Sequence, residues 1–257
     1  MENKDLKNIN TNEITKEAWN AYQEEYFNRH LPNFEEWKNG YVALDCYEPM
    51  ISLIGDVKGL KLLDTCCSSD AWQTYSWHNL GAKVTATDIT PKAIEIASKN
   101  AEKMGLDIEF AVADMQTFEP IADGQFDIVF AQYPCWIQDF FEACKTWSRV
   151  LKKGGRLLLI APHPITDCIE EINNELHIVQ NYNKPSADWS DTFNGTPLAD
   201  RYLGGWSVNL PCVGYYWRVS DLINAICDAD FRIQKVHESY KSDEKLPDEF
   251  FVLAVKQ

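Results

Sequence analysis

Three aspartates, Asp64, Asp88 and Asp114, fall at or just after the ends of short apolar stretches, residues 61–65, 83–87 and 108–113. Open parallel sheets bind ligands outside the carboxyl ends of their strands, so acids in these places face a common site. An acid closing the second stretch can accept both hydroxyls of a ribose. An acid or polar residue after the third can take an amino group on a base. Backbone amides after the first stretch, aided by the following helix terminus, can hold a charged or polar group. Together these residues describe a nucleoside pocket.

The turn after the first stretch, residues 62–70, reads LLDTCCSSD and contains no glycine. No GxxxxGKS or GxxxxGKT loop occurs, and no lysine follows the first stretch, which argues against a phosphate-gripping ATPase. GxGxxG is also missing, and Asp70 would bring negative charge to a pyrophosphate. A ligand with an ammonium and a sulfonium suits such an acidic loop better on electrostatic grounds.

A regular alternation positions these residues. Strands are expected at 61–65, 83–87, 108–113, 126–131 and 156–161. Helices are expected at 72–80, closed by Gly81; at 91–104, with Thr90 as cap and Pro91 at its first position; and at 138–150. Continuous apolar runs between helices argue for parallel strands covered on both faces. After Pro162 the rhythm breaks, and residues 162–218 form an aromatic, proline-rich insertion over the sheet edge. A helix over 220–229, capped by Ser220, and two strands, 231–238 and 250–255, in a terminal antiparallel hairpin complete the chain. At the other end, residues 14–29 carry Trp19, Tyr22, Tyr26 and Phe27 at helical spacing, and 35–53 form a second helical region interrupted near Pro49. Residues 13–53 are expected as a helical lid within one domain spanning 1–257.

Composition narrows the function. A formal net charge of −15 disfavours a grip on nucleic-acid backbone. No signal pattern opens the chain and no stretch approaches the about 20 apolar residues of a membrane span, so a cytoplasmic location without membrane attachment is expected. The eight cysteines include no CxxC pair or close Cys/His cluster, so neither a disulfide framework nor a metal site is expected.

Six segments, KLLDTCCSSD, GAKVTATDIT, VADMQTF, FDIVFAQYPCW, RVLKKGGRLLLIAPHP and SDLINAICDADFRIQKVHES, resemble class I S-adenosylmethionine-dependent methyltransferases in order and spacing. The likeness covers roughly 60–161 and 219–255 and is to the small-molecule branch of ubiquinone/menaquinone type. It implies an α/β, Rossmann-like, seven-stranded and mostly parallel sheet, order 3-2-1-4-5-7-6, with the seventh strand antiparallel. It also implies S-adenosyl-L-methionine as cofactor and a small-molecule methyl acceptor. In the family pattern Asp64 orients the first loop, and Cys66, Ser68 and Asp70 take the usual glycine positions around the cofactor. Asp88 matches the ribose acid, Ile89 lies beside the adenine, and Asp114 and Met115 match the adenine-edge pair. Gln132 and Tyr133 face methionine and acceptor, and His163 matches a position near the acceptor.

The reaction expected is in-line displacement at the sulfonium methyl, with His163 as general base and Tyr133 orienting the acceptor. Trp19, Tyr22, Tyr26, Trp189, Tyr216 and Trp217 are the candidate walls of the acceptor chamber. The second function class is a catalytically silent cofactor-binding or regulatory protein on the same fold. Methylation of nucleic acid or protein is disfavoured by the acidic balance and by AQYPCW standing where an Asn-Pro-Pro-Tyr signature would lie.

Overall fold

A computed structural model of the chain describes residues 11–29, 33–44, 48–119, 121–173, 175–179, 181–183, 215–239 and 246–257. Three helices lead: α1 (Thr11–Arg29), α2 (Phe34–Lys38) and α3 (Glu48–Ile54). Then β1 (Lys61–Asp64), α4 (Trp72–Asn79), β2 (Lys83–Asp88), α5 (Pro91–Met104) and β3 (Glu109–Val112) follow in strict alternation. After β4 (Phe126–Gln132) come α6 (Phe140–Val150), β5 (Leu151–Pro162), a small hairpin of β6 (Ile169–Ile172) and β7 (Glu175–Ile178), α7 (Val219–Asp228), β8 (Phe231–Ser239) and β9 (Glu249–Lys256).

The main sheet runs β3-β2-β1-β4-β5-β9-β8. The first five strands in that order are parallel, and β9 is antiparallel to both β5 and β8. With β8 and β9 as the sheet's sixth and seventh strands, this is the expected order 3-2-1-4-5-7-6. Strand order reverses between β1 and β4, and connections there leave in opposite directions. That geometry opens a crevice beyond Asp64 and Gln132.

Both faces are dry, which accounts for the unbroken apolar runs. Successive side chains of β4 and β5 point to opposite sides. Val129, Leu157 and Leu159 pack with Trp147 of α6 and Ile226 of α7, while Ile128, Phe130, Leu158 and Ile160 pack with Met50 of α3 and Trp77 of α4. Trp77 meets Phe130 edge-on at 5.4 Å. No described helix is long and apolar enough to cross a membrane.

Several local details differ from the expectations. Residues 35–53 hold two helices, not one interrupted helix: Pro49 sits in the first turn of α3, where its missing N–H leaves no intrahelical bond unmade. Thr90 occupies the N-cap of α5 as expected, but its side chain makes no cap hydrogen bond; its hydroxyl donates to Asp88 Oδ1 at 2.7 Å. The last helix starts one residue before Ser220. Asp221 reaches back to the Arg218 N–H at 3.1 Å and pairs with the Arg218 guanidinium at 2.9 and 2.8 Å. The β6–β7 hairpin was not expected; residues 184–214 of the insertion, Trp189 included, lie outside the described residues.

The KKGG turn is part of β5, with an irregular register against β4 between Phe126 and Ile128. A Cβ at Gly155 would lie 2.8 Å from the Lys152 carbonyl oxygen and 2.9 Å from Leu151 Cδ2. The backbone atom cannot yield as a side-chain tip can. Gly155→Ala is therefore expected to lower unfolding stability by about 1–3 kcal/mol in a denaturant titration. Unchanged stability would contradict the close approach.

Candidate active site

A cavity of about 430 Å³ lies beyond the carboxyl ends of β1, β2 and β4, partly covered by α1. The loop after β1 forms its floor through Thr65, Cys66, Cys67, Ser68 and Asp70. Asp88 and Ile89 enter from the end of β2, Asp114 and Met115 from beyond β3, and Gln132, Tyr133 and Trp136 from beyond β4. From α1 come Asn12, Thr15, Trp19, Gln23 and Tyr26, spaced three or four residues apart so that one helix face meets the cavity.

The loop turns without glycine because few of its residues need glycine's freedom. Of residues 65–71, only Ser68 (φ +56°) and Ala71 (φ +48°) take the left-handed region. Cys66 and Asp70, at two of the three glycine positions, do not. The strain at Ser68 is balanced by bonds from three elements. Its amide donates to Asp88 Oδ2 at 3.0 Å, its hydroxyl donates to Gln23 Oε1 at 3.3 Å, and the neighbouring Cys66 carbonyl accepts from Gln132 Nε2 at 3.0 Å. Gln23 also takes the Ser69 amide on Oε1 and the Ser69 hydroxyl on its carbonyl, both at 3.0 Å. Asn12 and Gln23 escaped the sequence reasoning, which followed the aromatics of α1 alone. The signal was the run Asn12, Thr15, Trp19, Gln23, Tyr26 at helical spacing.

Asp64 is wholly buried and does not line the cavity. It braces the loop from behind, accepting from the Thr74 hydroxyl at 2.6 Å and the Cys66 amide at 3.3 Å. Burial pushes its carboxyl up to about 6, against those two hydrogen bonds. Asp70 lies at the cavity wall, 3% exposed, and accepts from Trp72 Nε1 and from the Tyr26 side chain. Burial pushes it up to about 7. Asp88 is 4% exposed and raised as well, again by burial, although Thr90 and Ser68 hydrogen bonds oppose the rise. Its Oδ1 is filled by the Thr90 amide (2.9 Å) and hydroxyl (2.7 Å), while Oδ2 takes only one amide at normal distance. Asp114 accepts from the Gln116 amide at 2.8 Å and from Asn12 Nδ2 at 3.0 Å. Burial first, then the nearby carboxyls of Asp88 and Asp64, push the Cys66 and Cys67 thiols up, which keeps them protonated and poor nucleophiles.

The structure brings Cys66, Ser68, Asp70, Asp88, Ile89, Asp114, Met115, Gln132, Tyr133, Trp19 and Tyr26 to one cavity, and leaves five described candidates out, Asp64 behind the loop and four more. His163 is 5% exposed and turned away. Its Nδ1 accepts from the Ile165 amide at 3.1 Å, which puts the proton on Nε2, donated to Glu238 at 2.8 Å. Neither nitrogen is left to take a proton from an acceptor, so the expected base is a brace between β5 and β8. Tyr22 is fully buried beneath α1. Tyr216 bonds the Pro164 carbonyl at 3.0 Å and packs on Cys168; Trp217 bonds the Pro134 carbonyl at 3.1 Å beside Phe140. Trp136 fills the wall in their place, edge-on to Trp19 at 5.4 Å. Tyr133 holds φ +55°, a strained conformation for a bulky residue, directly at the cavity.

The cavity's donor set fits an adenosyl sulfonium. Its volume is within the range of about 300–1,000 Å³ usual for small-ligand pockets. Three carboxyls and no lysine, arginine or histidine line it among the described residues.

Residues 63–159 match the family model described as a methyltransferase domain. An uncharacterized protein of Haemophilus influenzae is 24% identical over 199 residues, 76% of each chain. The demethylmenaquinone methyltransferase of Lactococcus lactis is 34% identical over 116 residues, 43% of this chain and 46% of its own length. Among solved structures, an S-adenosylmethionine-dependent methyltransferase from Mesorhizobium loti superposes with a TM-score of 0.67 at 18% identity, covering 82% of this chain and 97% of its own. The fold is that of class I methyltransferases. The domain match and the fold support the expected enzyme class, an S-adenosylmethionine-dependent methyltransferase, and S-adenosyl-L-methionine as its cofactor.

The raised carboxyls give the ligand-free protein a definite pH profile. An acid whose pKa is higher folded than unfolded keeps its proton longer in the folded state, so stability falls as pH rises from its ordinary value through the folded one. For Asp64 that window runs from 3.8 to about 6 and for Asp70 from 3.8 to about 7. Urea unfolding without ligand is expected to show about 2 kcal/mol less stability at about pH 8 than at about pH 5.5. Equal stability at the two values would show that these acids are not held as described.

Proposed function

We propose that this methyltransferase transfers its methyl group to a small-molecule acceptor, and that the acceptor sits among the aromatic residues of the cavity, against Trp19, Tyr133 and Trp136. The observation that carries this reading is the covering of the acid-lined crevice by the α1 face that carries Trp19 and Tyr26. A partly covered pocket suits a small acceptor better than a polymer, and the net charge of −15 disfavours nucleic acid. The match to a demethylmenaquinone methyltransferase favours the ubiquinone/menaquinone-type branch. A cytoplasmic site of action agrees with these chemistries.

Asp88 would hold the ribose through the free side of Oδ2, with Ile89 against the adenine and Asp114 with Met115 at its edge. Cys66, Ser68, Asp70 and Gln132 would surround the methionine end, with Asp64 fixing the loop behind them. S-adenosylmethionine, when bound, supplies a methyl group already activated on a sulfonium, open to in-line displacement by the acceptor. The chain's own task is then to align the acceptor and exclude water. Tyr133, pinned by its backbone conformation, orients it, and α1 serves as the lid.

Calorimetry with S-adenosylmethionine and S-adenosylhomocysteine tests the pocket, and a metabolite screen with a labelled methyl donor tests the acceptor. Asp88→Asn keeps the shape but removes the charge, and is expected to weaken cofactor binding by about 2–3 kcal/mol, roughly 30- to 150-fold, in a protein that still melts cooperatively. Unchanged affinity rejects Asp88 as the ribose anchor. A folded protein that binds neither compound rejects the enzyme reading.

A further inference from the structure

We propose that Asp70 makes the cavity selective for the charge of its ligand, holding the sulfonium form of the cofactor in preference to the neutral thioether form. This rests on the cofactor reading above and adds to it a specificity determinant peculiar to this loop. The carboxyl stands where the family pattern has a small, neutral glycine, and it is almost wholly buried in the cavity wall. Trp72 and Tyr26 hold it in place by donating to it, which orients the group without neutralising it.

Among the described residues, the groups around Asp70 supply no positive charge. Tyr26 faces it from α1, Cys66 and Cys67 from its own loop, Asp88 from the end of β2 and Tyr75 from α4. All of these are neutral or acidic. An ionised Asp70 accepts from Trp72, Tyr26 and the Ala71 and Asp70 amides but has no described cationic partner until a cation enters, and a buried charge without an ion-pair partner is costly. S-adenosylmethionine carries an ammonium, a carboxylate and a sulfonium, net +1. S-adenosylhomocysteine lacks the sulfonium charge and is net neutral. The same carboxyl repels the ligand's own carboxylate, so it also sets which end of the amino-acid moiety turns toward it.

Burial places the Asp70 titration at about 7, so the selectivity depends on pH near neutrality. Such a group is about one-tenth ionised a unit below that value and about nine-tenths ionised a unit above it. Isothermal calorimetry at pH 6 and pH 8, in two buffers of different ionisation enthalpy, is the test. For the unaltered protein, the ratio of the S-adenosylhomocysteine Kd to the S-adenosylmethionine Kd is expected to rise about tenfold from pH 6 to pH 8. Near pH 7, S-adenosylmethionine binding should release protons and S-adenosylhomocysteine binding should release fewer. In Asp70→Asn the ratio should be the same at both pH values; Asp64 and Asp88 remain intact there, so any pH dependence they cause survives.

If both compounds bind the unaltered protein with a pH-independent ratio, or Asp70→Asn keeps the full pH dependence, this proposal is overturned and the cofactor reading stands. If neither compound binds, the cofactor reading itself fails. Should Asp70→Asn not fold, proton release by the unaltered protein decides: equal release with both ligands overturns the proposal.

Discussion

The hydrogen bond from the Ser68 amide to the Asp88 carboxylate ties the turn after β1 to the tip of β2, and the site is arranged around it. Glycine ordinarily lets a chain bend sharply beneath a nucleoside at little steric cost. Here the bend is made by a serine in the left-handed region, and its cost is offset by side chains that grip the turn. Asp88 holds it from the sheet, Gln132 from the neighbouring strand and Gln23 from the helix above. The loop is thus defined by tertiary contacts and not by its own permissiveness.

This explains why the helix over the cavity belongs to the site and is not merely a cover. Gln23 satisfies the Ser69 amide and hydroxyl, and Asn12 occupies one oxygen of Asp114. Residues far apart in sequence share one set of hydrogen bonds, so the lid, the loop and the base-edge acid are coupled. The same economy appears at His163, whose two nitrogens are consumed by Ile165 and Glu238 in fastening β5 to β8.

The central fold was legible because its signals are local. Apolar runs between helices, Pro91 at a helix start and acids at strand tips each follow from backbone geometry and mark the alternating elements, while the order of the strands was implied by the family resemblance. Elements that depend on partners were harder to read. Thr90 has the right side chain for a helix cap but spends it on Asp88, a contact invisible without the loop's position. Tyr22 and Trp19 are three residues apart on one helix, yet one is sealed in the core and the other faces the cavity, because a stripe of aromatics does not reveal which side the sheet occupies. Tyr216 and Trp217 follow an insertion whose path is set by tertiary packing, and they landed on Pro164 and Pro134. Asn12 and Gln23 were missed because polar residues on an exposed-looking helix are usually solvated.

The absence of any lysine, arginine or histidine from the described cavity lining bears on which adenosine-bearing molecules can enter it. Nucleotides share the adenine and ribose but carry two to four negative charges on phosphate. Two buried carboxyls, Asp70 and Asp88, and the half-buried Asp114 repel that tail, and no described residue of the wall can counter it. The pocket thereby sorts a crowded family of metabolites by the sign of one substituent, and stays clear of energy-carrying nucleotides without needing a shape that excludes them.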